Sequence, residues 1–295
     1  MDNFYKLLAE RTPDTQYQDR LWYILEHGDM IRETAQGVGA LTCFGTLAPM
    51  VFDLSNGVSL ITERKIGFWR KSVAEIIAFI NGARTIDEIE SFGCDFWKDY
   101  RGKGAGLGLG PDDMGPGSYG PAFHDFEIPG GGTLNQFEQL LEQIRLYPEM
   151  RTHLISPWKP FFTARGPNRK VIVAPCHGWL HFRIINGRLD MEMHQRSGDF
   201  PIGVPSNMVQ YAALHLMMCQ VTGYSPGNFV HSFADAHIYE NQIDSVEELA
   251  SKREPRILPI LRLDPKVTNL FDFRVEHFTL EEYDPHPAMK IPYSP

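Results

Sequence analysis

Cysteine is scarce in this 295-residue chain: there are four, Cys43, Cys94, Cys176 and Cys219, far apart in sequence. No C-x-x-C pair and no short His/Cys spacing occurs, which removes the usual beginnings of a zinc site and leaves reduced thiols of an intracellular protein. Long apolar runs are missing too, and nothing approaches the roughly 20 residues of a membrane span. The opening stretch MDNFYKLLAERTPD is charged through its first ten residues and offers no apolar core of a signal peptide. Basic excess is also absent. A net charge of −9 and a sequence pI near 5.7 argue against a surface that tracks nucleic acid, because such binding needs clustered Lys and Arg. Any anionic ligand is expected to be small and held by a few chosen arginines.

What is present suits a large globular core: 43% of the residues are hydrophobic and 22% charged, enough for one large domain or two small ones. Apolar residues at helical spacing (Phe4, Leu7, Leu8, then Leu21, Ile24, Leu25) predict two short helices over 4–27, broken at Thr12-Pro13. ALTCFGTLAPMVFDL reads as strand. RKSVAEIIAFING reads as a buried helix beginning near Ser72 and stopping at Asn81-Gly82. Residues 101–132 are glycine-rich and read as a long functional loop, with a helix pattern, TLNQFEQLLEQIRLYP, directly after. KVIVAP and LHFRII look like strands, and Asn186-Gly187 is a type I′ hairpin signal leading into RLDMEMHQRS. SNMVQYAALHLMMCQVTG is an apolar helix, ILPILRL and FDFRVEHFTL are expected strands, and a Pro-rich tail closes the chain. Mixed elements without a regular βαβ rhythm predict an α+β fold.

Three stretches invite chemistry. GKGAGLGLG lacks both G-x-G-x-x-G and G-x-x-x-x-G-K-[ST] in frame, so it reads as flexible loop rather than phosphate cradle. Ser72-x-x-Glu75 fits a capping box, in which the carboxylate merely satisfies a helix amide. Cys176, in VIVAPCHGWLHF, is by itself more simply a buried thiol than a nucleophile. A reactive thiolate needs nearby positive charge, and Arg196 supplies one if the hairpin brings it back beside Cys176.

Several blocks together carry a family resemblance: P-C-H at 175–177, Q-R-S-x-D at 195–199, G-x-P-x-N at 203–207 and D-x-H-x-Y at 235–239. In order and spacing they resemble the folate-dependent thymidylate synthases. Glu75, Trp97, the Y-G pair at Tyr119, P-x-x-R at 148–151 and YDPHP near the end extend the resemblance over nearly the whole chain. It implies a single thymidylate synthase-like domain over 1–295, a mixed twisted sheet flanked by helices, and a homodimer formed through that sheet. It implies a cytoplasmic enzyme, of a bacterium or a phage-infected cell, with a pyrimidine nucleoside monophosphate and 5,10-methylenetetrahydrofolate as substrates. No metal, nucleic acid or membrane partner is implied.

The resemblance also assigns roles. Cys176 would be the thiolate that adds to carbon 6 of the base, since carbon 5 is a poor nucleophile until something does so. Arg196 would hold the nucleotide phosphate and lower the thiol pKa, with Ser197 adding a hydroxyl. Arg32 and Arg151 would be further phosphate arginines, Arg151 reaching across from the second subunit. Asn207 would read the pyrimidine edge, while His237 and Tyr239 bind the sugar. Glu75 would move protons at O4 through water and Tyr119 would help remove the C5 proton. His177 would belong to the network around the base. Asp199, Trp97, Tyr100, Gly203 and Lys65 would form the folate side.

Departures from the family pattern bear on the product. The paired arginines after P-x-x are here Arg151 and Thr152, a Gln after the catalytic Cys-His is His181, and the second tryptophan after Trp97 is Tyr100. The aromatic of the L-P-F-N block is Ser206, and the small apolar C-terminus is Pro-Tyr-Ser-Pro. Reducing an exocyclic methylene to a methyl group needs a stacked folate and a dry site, whereas looser closure admits water. The expected product is therefore a 5-hydroxymethyl nucleotide, with thymidylate as the alternative. Asn207 and His177 favour uracil, so dUMP is the first substrate; dCMP or CMP hydroxymethylation stays open.

Overall fold

The computed structural model describes residues 4–294. After a 3-10 turn at Leu8–Glu10 come helix α1 (Gln16–His27) and strands β1 (Asp29–Ile31), β2 (Ala40–Phe44) and β3 (Met50–Asp53). Helices α2 (Trp69–Ile80), α3 (Ile86–Ser91) and α4 (Tyr119–His124) follow, then a small hairpin of β4 (Phe126–Glu127) and β5 (Thr133–Leu134). Next are α5 (Gln136–Leu146), β6 (Leu154–Ile155), α6 (Pro160–Thr163), β7 (Trp179–Ile185) and β8 (Arg188–Asp199). The chain continues through α7 (Gly203–Thr222), β9 (Ser225–Tyr239) and α8 (Ile243–Lys252) to a two-stranded sheet of β10 (Ile260–Leu263) and β11 (Phe278–Glu281).

Seven strands form the main sheet in the order β1-β2-β9-β8-β7-β6, with β3 paired to the first half of β9. All pairs in it are antiparallel except β8–β9, which are parallel and joined by the crossover helix α7. The architecture is α+β, as expected. Alternation along β8 explains why one face is covered: Leu189, Met191, Met193 and Gln195 are buried, while Asp190, Glu192, His194 and Arg196 face outward. Helix α7 is apolar on every side and buried from Val204 through Cys219, so it forms the centre of the core. It packs on β8 and β9 with one side and on α2 with the other. The hairpin between β7 and β8 turns where the Asn-Gly pair predicts it, with φ of 52° at Asn186 and 78° at Gly187.

Five expectations need correction. The first helix over 4–10 is only a 3-10 turn. Helix α2 starts at Trp69, so Ser72 lies inside its first turn and does not cap it; the Ser72 hydroxyl instead bonds the Ser206 hydroxyl at 2.6 Å. KVIVAP is not strand: its backbone pairs with the glycine-rich stretch, Gly117 N–H donating to Lys170 C=O and Ile172 N–H to Met114 C=O. That pairing needs Gly115, where φ is +95° and a Cβ would come within 2.3 Å of the Lys170 oxygen. Of FDFRVEHFTL only Phe278–Glu281 is strand, preceded by two 3-10 turns. The glycine-rich stretch is irregular at first but then forms α4.

Candidate active site

Cys176 sits in the irregular segment just before β7, and β8 runs beside it. The Cys176 carbonyl accepts from Arg196 N–H at 2.7 Å, which pins the loop to the strand. The Arg196 guanidinium donates to the carbonyls of Pro175 and Ala174 and reaches Cys176 Sγ at 3.2 Å. Its plane also lies over the Trp158 ring, 5.8 Å from the centroid. Burial pushes the Cys176 thiol up, Arg196 pulls it down, and burial prevails. The side chain is nevertheless half-exposed toward a cavity.

From the opposite side Tyr119, the first residue of α4, accepts a hydrogen bond from the Cys176 amide at 2.7 Å. Its ring stacks between Phe79 and His177, with centroids at 4.7 and 4.5 Å. His177 Nδ1 lies 2.7 Å from the Tyr211 hydroxyl, and burial with Arg196 nearby lowers its pKa to about 3, so this imidazole stays neutral. Burial also raises the Tyr119 phenol well above its ordinary value, which keeps it protonated.

Glu75 projects from α2 toward α7. One carboxyl oxygen accepts from Trp97 Nε1 at 2.7 Å and the other from Gln210 Nε2 at 3.0 Å. Burial outweighs both donors and pushes the carboxyl up to about 7, near the ideal for moving protons at neutral pH. Asn207, on the first turn of α7, is tied to Gln210 on one side and Gln195 on the other.

Cys176, His177, Glu75, Trp97, Tyr100, Tyr119, Ser197, Asp199, Gly203 and Asn207 all line one cavity of about 820 Å³. His237 and Tyr239, at the end of β9, stand behind Ser197: the Ser197 hydroxyl donates to Asp235, whose same oxygen lies 3.1 Å from His237 Nδ1. Two expected residues are elsewhere, and Arg151, expected at the second subunit's site, lies outside this cavity. Arg32 and Lys65 are exposed and do not line the cavity. Arg151 is exposed just before β6, and its carbonyl meets His181 Nε2 at 3.1 Å. His181 alternates with the buried Leu180 and Phe182 and so faces outward from the sheet, beside Arg151.

Sequence reading missed other lining groups. Lys71, Lys98 and Lys103 line the cavity, where Lys65 was expected to supply the cation. Lys71 precedes Glu75 by four residues on one helix and therefore shares its face. Gln210 follows Asn207 by three, a polar residue at one-turn spacing inside an apolar helix. The Pro-Tyr-Ser-Pro tail docks through Gln242, which donates to Pro292 C=O at 2.9 Å, and lays Tyr293 along the cavity.

The cavity fits a fused heteroaromatic ring with an anionic tail. Trp97 and Tyr100, 5.5 Å apart, offer aromatic faces, and Lys98 and Lys103 offer positive charge beside Asp99 and the Lys71–Asp95 ion pair. Asp199 is pushed up to about 6 by burial and receives only two long contacts, 3.4 Å each, from Ile202 N–H and Gln242 Nε2. Such an under-satisfied carboxyl suits the N–H groups of a pterin. Among the described residues no cluster of His, Cys, Asp and Glu is placed to hold a metal ion, and no helix is long and apolar enough to cross a membrane.

A cysteine thiol held by an arginine, on one cavity with a buried carboxyl pushed up toward neutrality, has the parts that covalent group transfer needs. The thymidylate synthase family model matches residues 15–295, and the chain belongs to that family. It is a folate-dependent one-carbon transferase acting on a pyrimidine nucleotide, and methylenetetrahydrofolate is the family's one-carbon donor.

Proposed function

We propose that the acceptor is carbon 5 of dUMP and that the product is the 5-hydroxymethyl nucleotide. The observation that carries the choice of product is a pair of hydroxyl-bearing residues, Ser206 and Tyr293, in the cavity wall. Ser206 places a hydroxyl, bonded to Ser72, where an aromatic side chain would otherwise stand, and the docked tail brings the Tyr293 hydroxyl toward Tyr100. An exposed hydroxyl on the tail holds water where an apolar tail would expel it.

Chemically, 5,10-methylenetetrahydrofolate supplies the methylene and, for a thymidylate product, also a hydride. Arg196 anchors the phosphate and stabilises the Cys176 thiolate, which adds to carbon 6 and turns carbon 5 into a nucleophile. Asn207 donates to O4, and Glu75 relays protons there through water as charge arrives. Tyr119 remains protonated and orients the water that takes the C5 proton. Asp199, Trp97, Tyr100 and Gly203 hold the folate, with Lys71, Lys98 and Lys103 near its acidic tail. Carbon 5 bonds to the methylene, and loss of the C5 proton with breakage of the methylene–nitrogen bond releases tetrahydrofolate; water then adds to the exocyclic methylene, Cys176 departs from carbon 6, and the nucleotide gains one CH2O unit with no change in folate oxidation state.

The same reading pairs the outer face of the sheet with a second copy, as exposed Phe44, Val51 and Leu154 on strands β2, β3 and β6 suggest. Arg151 of each subunit then serves the other's phosphate site. Incubation with dUMP, dCMP or CMP and methylenetetrahydrofolate, with mass identification of the nucleotide and optical detection of dihydrofolate, tests the reaction. A product one CH2O heavier without dihydrofolate is expected. Thymidylate with stoichiometric dihydrofolate would sink the choice of product, and a Cys176→Ser variant that keeps activity would sink the covalent mechanism.

A further inference from the structure

Gln210 is fully buried on α7 and has no part in the reaction as written above, yet it bridges two groups that do. Its Oε1 accepts from Asn207 Nδ2 at 3.0 Å, and its Nε2 donates to Glu75 at 3.0 Å. Beyond Asn207 the line continues: Asn207 Oδ1 accepts from Gln195 Nε2 at 3.1 Å, and Gln195 Oε1 lies 2.8 Å from His231 Nε2. All three amides point the same way, oxygen toward His231 and nitrogen toward Glu75.

The direction has a cause. An ionised carboxylate only accepts hydrogen bonds, so Gln210 must turn its NH2 to Glu75 and its oxygen to Asn207. Asn207 must in turn show NH2 toward Gln210 and oxygen toward Gln195. Each of these atoms keeps one unused position, a hydrogen on Nδ2 and a lone pair on Oδ1, and Asn207 lines the cavity. A donor on the Glu75 side and an acceptor on the Gln195 side match O4 and N3–H of uracil; cytosine, with an amino group at C4 and a bare N3, needs the reverse. Protonated Glu75 gains an O–H donor, and the line can then run backwards. Reversal moves the His231 proton to Nδ1, which is buried and has no partner among the described residues, so the uracil-reading direction is favoured.

We propose that Gln210 is a positioning residue for base choice: it passes the protonation state of Glu75 to Asn207, so that the site reads uracil when Glu75 is ionised and admits cytosine when Glu75 is protonated. The inference rests on the nucleotide reading above. Besides Trp97 and Gln210, the groups within electrostatic reach of Glu75 are Cys94, Tyr119 and Tyr211, all held neutral by burial. The Lys71–Asp95 ion pair lies one helical turn away. Asp199, on the folate side of the same cavity, titrates nearby at about 6, so a variant at Glu75 is needed to separate the two.

Equilibrium binding of dUMP and dCMP to the full chain, measured calorimetrically on both sides of pH 7, tests the proposal. The dUMP:dCMP affinity ratio of the parent is expected to rise about tenfold with pH, the scale of one correct buried hydrogen bond. In Gln210→Met, which keeps the volume and loses both bonds, the ratio should fall and become independent of pH. Glu75→Gln, which both donates and accepts, should flatten the ratio without disturbing Gln210, and it decides the matter if the Met variant does not fold. A parent that turns over dUMP with a ratio unchanged by pH overturns this inference and leaves the reaction standing. A Met variant that folds and behaves as the parent does the same. A parent that binds neither nucleotide overturns both.

Discussion

Glu75 holds its proton more tightly in the folded chain, up to about 7 against an ordinary 4.5. The folded state therefore binds more protons than the unfolded state between those values, and the contribution of Glu75 to stability falls as pH rises from about 4.5 to about 7. His177 and His215, lowered to about 3 and about 4 by burial, act in the opposite sense below their ordinary 6.5. Comparing parent with Glu75→Gln cancels the histidines. Across that window the variant should gain on the order of 2 to 3 kcal/mol over the parent in urea unfolding; a difference flat with pH would mean that Glu75 ionises as easily folded as unfolded. Sequence placed Cys176, Glu75 and Asn207 through their motif blocks, but the state of Glu75 was not legible there. It depends on burial, which outweighs the hydrogen bonds that Trp97 and Gln210 bring from two other segments.

At the scale of elements, the parts with strong local signals formed as read. Asn186-Gly187 turns the hairpin with both residues at positive φ, so Asn186→Val should cost about 1–2 kcal/mol through the left-handed penalty, measured by thermal or denaturant unfolding, while Asn186→Gly should cost little. Other elements were decided by neighbours. KVIVAP has the composition of a strand, but its N–H and C=O groups find partners in the glycine-rich stretch. Close approach also governs α4, where a Cβ on Gly120 would stand 2.0 Å from the Ala83 carbonyl oxygen. Gly120→Ala should displace the helix that begins with Tyr119, lowering stability by about 1–3 kcal/mol and kcat with it. Unchanged turnover in that variant would detach Tyr119 from the chemistry.

For the whole molecule, the acidic total and the anionic substrate are compatible because positive charge is local, with Arg196 at the thiol and the lysines at the cavity. The proposed dimer makes a sharp prediction. Cys176→Ser and Arg151→Glu should each be inactive alone, and mixing them under exchanging conditions should restore about a quarter of parental activity, since one site in each mixed dimer is intact. No recovery, with a monomer by sedimentation, would remove the shared site.

The sequence alone determined the class of fold, the long apolar helix, the turn at Asn186-Gly187 and the residues of the ordered motif blocks, because patterning and turn chemistry act over a few residues. The tertiary structure decided which of them meet. It turned Ser72 from a cap into a partner of Ser206, left Arg32, Lys65 and Arg151 outside the cavity, brought Lys71 and Tyr293 into it, and aligned three amides between His231 and Glu75. Burial and hydrogen-bond direction arise only when distant segments close around one another, and those two quantities set the proton on Glu75.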